Sequence, residues 1–430
     1  MSRKIKSAIS IVIIVSVFFS SWIFAAASQK KIQDIYEQQY QDPILMLLYY
    51  IDNILYYIDN IYYDKSNIDY EKILDSTLDG LISGLDDPFA WYFDKRQTNE
   101  NRIEESKEYG GVGLTVRYDT AKKAIVVVSP MSGTPGEKAG ILPNDYIITV
   151  DGSPVSQIGY TPSVDRMRGE PGTAVKLEVF RDGWDETKII EVPRAKIETK
   201  SVQYDLIEYN NKKIAYIRLT NFAEKSYEEM QTALSYFISK SKDGLVLDLR
   251  SNPGGFLNVA IDIGSMFVRN GKIVSVRYYN GEEETVIPEP EKYVNFLKDI
   301  PIVVLVNKGS ASASEILTGA LKDNSIATII GKQTYGKATV QRPIQLPNGG
   351  EVWLPIGHYF TPNGTDIHLK GIDPDIDIDN PAVELKSVKP SESETTEAML
   401  STTNKPYINL SADSQLLKAF EVITEKSGGK

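Results

Sequence analysis

The sequence predicts a multidomain α/β protein with a mostly parallel core sheet, an inserted β-rich domain and a helical N-terminal region. Its 430 residues exceed the size of an ordinary single domain. From Lys213 onward, apolar strands such as "GLVLDLR" and "PIVVLVN" alternate with amphipathic helices. That alternation is typical of a parallel sheet covered on both faces. Between residues 98 and 193, short strands bounded by Gly, Pro, Asn and Asp indicate a compact β-rich unit.

The first 27 residues have the pattern of an export signal or a membrane anchor. Arg3, Lys4 and Lys6 precede a nearly unbroken apolar run from Ala8 to Ala27, which ends in three alanines. A small-residue end is typical of a cleaved signal peptide, and the run is also about long enough to span a bilayer. Both alternatives place the rest of the chain outside the cytoplasm, membrane-anchored or secreted.

Residues 28–97 are predicted to be helical, because Leu, Ile and Tyr recur at spacings of three and four in "PILMLLYYIDNILYYIDNIYY". So many tyrosines on one helix favour either packing within the chain or contact with a second subunit, which would make a homodimer. Near the other end, residues 381–406 are rich in Ser, Thr, Glu and Pro, which indicates a flexible linker. Residues 407–430 contain a last predicted helix, "DSQLLKAFEVI".

Composition excludes several classes of function. The net charge is −11 and no basic cluster follows the first residues, so nucleic acid is not an expected partner. The chain has no cysteine and only two histidines, His358 and His368. Thiolate chemistry is excluded, and neither a cofactor nor a metal ion is expected.

Ser312 is the first candidate for chemistry. It lies in "NKGSASASEI", where the strand "PIVVLVN" leads into a predicted helix. Ser312 and Glu315 fit a helix capping box, which is a purely structural explanation. A helix N-terminus also offers free N–H groups and positive potential, which stabilise the oxyanion formed when a serine attacks a carbonyl.

Lys337 is the candidate base for such a serine. Lysine replaces histidine as the general base in some serine enzymes, provided that burial lowers its pKa from about 10.4. If "KATVQ" is extended, Lys337 and Gln341 share one face, and Gln341 can hold the amine without adding charge. A surface turn is the structural alternative for this Gly-Lys pair.

The same segment almost matches a phosphate-binding loop. Gly331, Gly336 and Lys337 have the required spacing, but Ala338 replaces the Ser or Thr that would bind magnesium. The sequence that follows is β-like and contains Pro343, so no helix N-terminus meets a phosphate. Nucleotide binding is therefore not expected.

Two glycine-rich turns are candidate binding elements. In "DLRSNPGG", Gly254 or Gly255 could direct an N–H group toward a substrate carbonyl, with Ala313 as the second oxyanion donor. A simple strand-to-helix turn is the alternative.

In "YGGVGLTV", the backbone of Val112, Gly113 and Leu114 could hold a peptide C-terminal carboxylate, with the peptide added beside the strand "GLTV". A plain glycine turn is the alternative here.

These segments together resemble the carboxyl-terminal processing peptidases, also called tail-specific proteases, and the resemblance covers nearly the whole chain. The motifs that carry it are, in order, "YGGVGL", "EKAGILPNDYIITVDG", "RGEPGT", "LVLDLRSNPGG", "NKGSASASEI" and "GKQTYGKATVQ".

The resemblance implies that residues 98–193 are a PDZ domain inserted before a serine protease core at 194–380. It implies Ser312 as nucleophile, Lys337 as base and Gln341 as the residue that orients the base. The expected substrates are proteins or peptides with exposed C-terminal tails. Arg168, in "RGEPGT", is expected to pair with a substrate carboxylate or with the core, or else to be a solvated surface residue. A PDZ scaffold that binds tails without cutting them is the alternative function.

Overall fold

The computed structural model describes residues 42–240, 242–380, 408 and 412–427. Contacts divide the chain between Thr77 and Leu78 into two compact units, which are described separately. The predicted signal or anchor at 1–27 and the predicted linker at 381–406 lie outside the described residues. In the described part of the chain, no helix is both long and apolar enough to cross a membrane.

The first unit is helical, as its Leu, Ile and Tyr spacing predicts. Asp42 caps the first helix by accepting a hydrogen bond of 2.8 Å from the N–H of Ile44, and proline occupies the first helical position. No side chain of this helix is buried within the chain. The elements are α1 (Pro43–Ile61), a 3₁₀ turn (Lys65–Asn67) and α2 (Tyr70–Ser83), which continues into the second unit.

The core of the second unit is a six-stranded sheet. The first pair of strands is antiparallel and every later pair is parallel, so the predicted mostly parallel sheet is confirmed. In order across the sheet, the strands are β10 (Val202–Tyr209), β11 (Lys212–Leu219), β12 (Gly244–Asp248), β15 (Ile302–Val306), β16 (Ala327–Gly331) and β19 (Ile376–Asp377).

Helices cover both faces of this sheet, which explains why its strands are continuously apolar. On β12, Leu245 and Leu247 face one hydrophobic cluster, whereas Val246 faces the other. The helices on the first face are α7 (Ser226–Ile238), α8 (Leu257–Phe267) and α9 (Ala313–Asp323). The second face is covered by α10 (Ser414–Ser427), the predicted C-terminal helix.

A second, antiparallel sheet lies beside the core. Its strands are β1 (Trp91–Phe93), β13 (Val274–Tyr278), β14 (Glu283–Val286), β17 (Thr339–Gln345) and β18 (Glu351–Phe360). The long β18 pairs with β1, β13 and β17. The short 3₁₀ turns Pro290–Lys292 and Asn295–Asp299 follow β14. This sheet brings a segment from near residue 91 against the segment that contains Lys337.

The inserted domain has its own core and is a six-stranded antiparallel sheet with small helices. It contains β3 (Leu114–Asp119), β4 (Ala124–Pro130), α4 (Pro135–Lys138), β5 (Tyr146–Val150), β6 (Ser153–Pro154), α5 (Val155–Ile158), α6 (Tyr160–Met167), β7 (Ala174–Phe180) and β8 (Lys188–Pro193). It is preceded by α3 (Lys95–Ser106), which spans the predicted boundary at residue 98. The domain is joined to the core by a ladder of β2 (Glu108–Gly111) with β9 (Ala195–Glu198).

A buried ionic cluster fixes α10 beneath the core sheet. The Asp248 carboxylate at the end of β12 accepts hydrogen bonds from Tyr216 and Arg250. Arg250 also donates to both carboxylate oxygens of Asp413, at 2.8 Å each, just before α10. The Arg250 guanidinium and the Tyr216 hydroxyl overcome the burial of Asp248 and lower its pKa to about 2. The cluster thus holds the first turn after β12 to the C-terminal helix.

Asp248→Asn is expected to lower the free energy of unfolding by roughly 3 kcal/mol, because it leaves a buried guanidinium partly uncompensated. Urea unfolding followed by circular dichroism measures the change. Arg96→Ala is the control, since the Arg96–Glu100 pair is exposed and its loss should cost less than about 0.5 kcal/mol. Similar urea midpoints for Asp248→Asn and Arg96→Ala would contradict a structural role for the cluster.

Candidate active site

The candidate site lies at the carboxyl ends of two adjacent parallel strands, where open α/β sheets place their ligands. The strand β15 ends at Val306, and the chain then forms a short loop before α9 begins. The strand β12, its neighbour, ends at Asp248 and leads into the turn that contains Gly254 and Gly255. The predicted nucleophile and the predicted oxyanion turn therefore meet at one edge of the sheet.

Ser312 occupies the N-cap of α9 in a strained conformation. Its φ is 55° and its ψ is −117°, a region that non-glycine residues rarely adopt and that costs on the order of 1–3 kcal/mol. Its side chain hydrogen-bonds the phenol of Tyr359, and Tyr359 also donates to the carbonyl of Lys337. Burial and the nearby Glu315 raise the pKa of Tyr359 well above its usual value, so this phenol stays protonated at ordinary pH.

Glu315 is a central residue that the sequence presented only as a helix cap. It is completely buried, and its carboxylate accepts four hydrogen bonds. The donors are the N–H of Ser312 (2.9 Å), the hydroxyl of Thr334 (2.5 Å), the N–H of Gly336 (2.7 Å) and the N–H of Lys337 (2.9 Å). One side chain therefore ties the N-terminus of α9 to the segment that carries Lys337.

Lys337 lies just before β17, with its amine 4.5 Å from the centre of the Trp91 ring. Burial lowers the pKa of Lys337 to about 8, although the charge of Glu315 acts in the opposite direction. Glu315 is an acidic neighbour that favours the protonated amine, and burial has the larger effect on the pKa of Lys337. Among the hydrogen bonds of the described residues, none joins this amine to the Ser312 hydroxyl.

Gln341 does not bond Lys337 in this structure. The strand β17 begins at Thr339, so Lys337 precedes it and lies outside the regular alternation on which the predicted shared face depended. The ladder between β17 and β18 also contains a bulge, in which Ile356 of β18 is the extra residue. The Gln341 side-chain amide instead donates to the carbonyl of Phe89 at 2.6 Å. Phe89 in turn contacts the ring of His368.

The two histidines stack on each other beside this segment. The ring centres of His358 and His368 are 4.4 Å apart, with 30° between the ring planes. Burial and the adjacent His358 lower the pKa of His368. The described residues contain no group of three or more acidic or histidine side chains suited to a metal ion.

The two predicted oxyanion donors differ in their availability. The N–H of Gly254 donates to the side-chain oxygen of Asn252 at 2.9 Å, so in this structure it is not the free donor that the sequence suggested. The N–H groups of Gly255 and Ala313 have no acceptor among the described residues. A Cβ on Gly255, whose φ is 140°, would lie 2.3 Å from the carbonyl oxygen of Phe222, so only glycine fits there.

The predicted carboxylate loop of the inserted domain is well fixed. The carbonyl of Val112 accepts from the N–H of Gly136, and the carbonyl of Gly113 accepts from Met131 and Thr134. The N–H groups of Val112 and Gly113 have no acceptor within the described chain. Leu114 then starts β3, which among the described strands pairs only with β4 and forms an edge of the sheet.

Arg168 lies at the end of α6, half-buried, with its guanidinium 5.6 Å from the centre of the Tyr109 ring. Tyr109 belongs to β2, one strand of the ladder that joins the inserted domain to the core. The predicted residue is therefore packed on the connection between the two domains in this structure.

A strained serine at a helix N-terminus, and a half-buried lysine on a segment that Glu315 bonds to that serine, are features expected of a serine peptidase. Comparison with known proteins agrees. Peptidase family S41 matches residues 213–378, and the PDZ domain matches residues 110–192.

A carboxy-terminal-processing protease of Bartonella bacilliformis is 38% identical over 317 residues, which cover 73% of this chain and 71% of the relative. A carboxyl-terminal-processing protease of Synechocystis is 32% identical over 73% of each chain. The solved photosystem II D1 C-terminal processing protease is 30% identical, covering 71% of this chain and 81% of its own, with a TM-score of 0.44. The chain belongs to the carboxyl-terminal processing protease family of serine peptidases. This membership favours the enzyme over the non-catalytic scaffold.

Several residues of the site could not be found by local pattern. Glu315 was visible as part of the capping box, but its bonds to the lysine segment were not. Trp91, Phe89 and Tyr359 reach the site through strand pairing in the second sheet. The sequence carries no short-range signal for that pairing.

Glu315→Gln is expected to lower kcat at least about tenfold, because an amide N–H would face one of the backbone donors that the carboxylate now satisfies. Loss of the negative charge should also lower the pKa of Lys337 further, so activity should rise at a lower pH than in the wild type. The pH profile of kcat/KM on a peptide substrate measures both effects. Glu283→Gln, on the exposed strand β14, serves as control, and an unchanged midpoint in Glu315→Gln would contradict the electrostatic role of Glu315.

Proposed function

We propose that the protein is an extracytoplasmic serine endopeptidase in which Ser312 and Lys337 form the catalytic dyad. The observation that carries the proposal is the half-buried Lys337, whose pKa burial lowers to about 8, on a segment that Glu315 bonds to Ser312. A lysine can act as a general base only when its neutral form is accessible near working pH.

In the proposed mechanism, the Ser312 hydroxyl attacks the substrate carbonyl while its proton passes to the neutral amine of Lys337. The N–H groups of Ala313 and Gly255 stabilise the oxyanion, helped by the positive end of α9. The ammonium of Lys337 then protonates the leaving amine. A water molecule, deprotonated by the same lysine, hydrolyses the acyl-enzyme.

The active arrangement requires a change from the one in this structure. The amine of Lys337 contacts Trp91 and the side chain of Gln341 contacts Phe89. A rotation of the flexible lysine side chain would bring its amine toward Ser312. In the proposed active form, Gln341 orients the amine once it has moved, as the family resemblance implies.

The inserted PDZ domain is proposed to recognise the C-terminal tail of the substrate. A peptide can add to the edge strand β3, with its carboxylate bound at the N–H groups of Val112, Gly113 and Leu114. Arg168 is proposed to sense this carboxylate, because leaving the ring of Tyr109 would release a guanidinium near the bound tail. Substrates are then proteins whose termini are exposed.

The proposed location follows from the first 27 residues, whose basic start and apolar run suit export or anchoring. If the segment is retained, it attaches the enzyme to a membrane. A homodimer is also proposed, since α1 has many apolar side chains and none is buried within its own chain. Sedimentation of the full-length chain and of a variant with Leu48 and Ile54 changed to Glu tests the dimer.

Ser312→Ala, Lys337→Met and Lys337→Arg are each expected to abolish cleavage of an unfolded protein, because none retains both a nucleophile and a neutral base. In the wild type, kcat/KM should rise with pH through about 8, as the amine loses its proton. Fragment formation on gels and a fluorescent peptide assay measure these outcomes. Lys308→Arg, two residues before the Ser-Ala-Ser run begins at Ser310, is the matched control. Normal turnover by Lys337→Arg would remove the lysine from the mechanism.

Gly113→Ala is expected to weaken binding of a C-terminal peptide at least about tenfold. The residue has a φ of 72°, and an added Cβ would lie 2.4 Å from Thr134, so the loop must shift. Gly140→Ala is the matched control, because its φ is 78° but no atom lies within 4 Å of the added Cβ. Calorimetry compares peptides with free and amidated C-termini. Equal binding by both glycine variants would contradict the assignment of the loop.

A further inference from the structure

Trp91 is the aromatic residue that faces the amine of Lys337. The strand β1, which contains Trp91, pairs with β18, and β18 pairs with β17 immediately after Lys337. This sheet places the amine 4.5 Å from the ring centre, within the range of a cation–π interaction. A ring and a cation from distant parts of the chain are thus held together by strand pairing.

The Trp91 ring is fixed rather than free. Its indole N–H donates to the carbonyl of Pro88 at 3.0 Å. It packs against Phe93, at 5.9 Å between ring centres, and against Trp353, at 6.5 Å. Lys337, by contrast, ends in a flexible chain of four methylene groups. Of the two partners, the lysine is the one that moves.

The segment around Trp91 contacts both the proposed base, Lys337, and its proposed orienting residue, Gln341. Phe89 accepts the hydrogen bond of Gln341, two residues before Trp91 contacts Lys337. In the proposed active form, the amine of Lys337 leaves the Trp91 ring and approaches Ser312, and Gln341 orients it there. The segment 88–93 therefore holds the base and its orienting residue in a resting arrangement.

We propose that Trp91 is a positioning residue: its indole receives the ammonium of Lys337 in the resting enzyme and excludes water from it, and proton loss frees the amine to reach Ser312. This inference rests on the proposed Ser312–Lys337 dyad. Its physical basis is that the cation–π attraction exists only while the amine is charged. A bulky aliphatic side chain would exclude water but would not hold the charged form.

Two other titratable groups act at this position. Glu315, at the start of α9, is the charged group that acts on the amine and favours its protonated form. Tyr359, on β18, bonds the carbonyl of Lys337 and remains neutral. Trp91 itself does not titrate. Removal of the indole has two opposing effects on the pKa of Lys337: loss of the cation–π attraction lowers it, and entry of water raises it. Burial is the largest cause of the lowered pKa, so we expect the entry of water to have the larger effect and the pKa to rise.

The contact can be tested without catalysis in the full-length Ser312→Ala protein labelled with 5-fluorotryptophan. The chain has 4 tryptophans, and Trp91→Phe identifies the signal of Trp91. We expect that signal to titrate with a midpoint near the pKa of about 8, and the titration to vanish in Ser312→Ala/Lys337→Met. Trp184 also lies beside a lysine, with Lys188 at 4.2 Å, and its signal should not respond to Lys337→Met. Absence of a lysine-dependent titration overturns the inference, whether or not the wild type cleaves protein.

The consequence for catalysis is tested by pH profiles of kcat/KM. Trp91→Ala should move the midpoint upward by about one unit, a loss of about tenfold at pH 7 that alkaline pH restores. Trp91→Phe, which keeps an aromatic face, should retain the wild-type midpoint. Equal loss at every pH in Trp91→Ala would mean a merely structural role and overturn the inference. If the wild type cleaves nothing, the proposed Ser312–Lys337 dyad is contradicted. The fluorine titration still tests whether Trp91 contacts Lys337, because it does not depend on cleavage.

Discussion

The whole site depends on one buried carboxylate, that of Glu315. A buried charge is costly unless hydrogen bonds replace its hydration, and here four donors do so. One donor belongs to the residue that caps α9 and two belong to the backbone of the lysine segment. Residues 25 positions apart, Ser312 and Lys337, are therefore held in fixed relation by a side chain that is neither nucleophile nor base.

The Glu315 carboxylate fixes the backbone around Lys337 but disfavours the neutral form of the lysine amine. Its charge favours protonated Lys337, whereas burial favours the neutral amine, and burial has the larger effect. The result is an amine with a pKa of about 8, close enough to neutrality to change its protonation under ordinary conditions. A lysine with no acidic neighbour would be a readier base, but its segment would lose the carboxylate that fixes its backbone.

Features that depend on local sequence pattern were predicted, whereas contacts that depend on strand pairing were not. Apolar strands alternating with helices predicted the parallel core, and "SASASEI" placed Ser312 at a helix start. The start of β17 at Thr339, after Lys337, has no sequence signature, and in this structure the Gln341 side chain bonds the carbonyl of Phe89. The hydrogen bond from the N–H of Gly254 to the side chain of Asn252 was also not predicted. Hydrogen bonds within a turn depend on backbone angles that composition does not determine. The contact between Trp91 and Lys337 required the whole second sheet.

The connection between the two domains suits a switch. The ladder of β2 and β9 has only four paired positions, and the ion pairs around it, from Lys196 and Lys225 to Glu108 and Glu198, are largely exposed. Exposed pairs are weak and screened by salt, so a change in the position of the inserted domain meets little electrostatic resistance. Tyr109 lies on this ladder, and the guanidinium of Arg168 lies over its ring. In the proposed mode of tail recognition, a carboxylate that attracts Arg168 would therefore act directly on the strand that joins the inserted domain to the core.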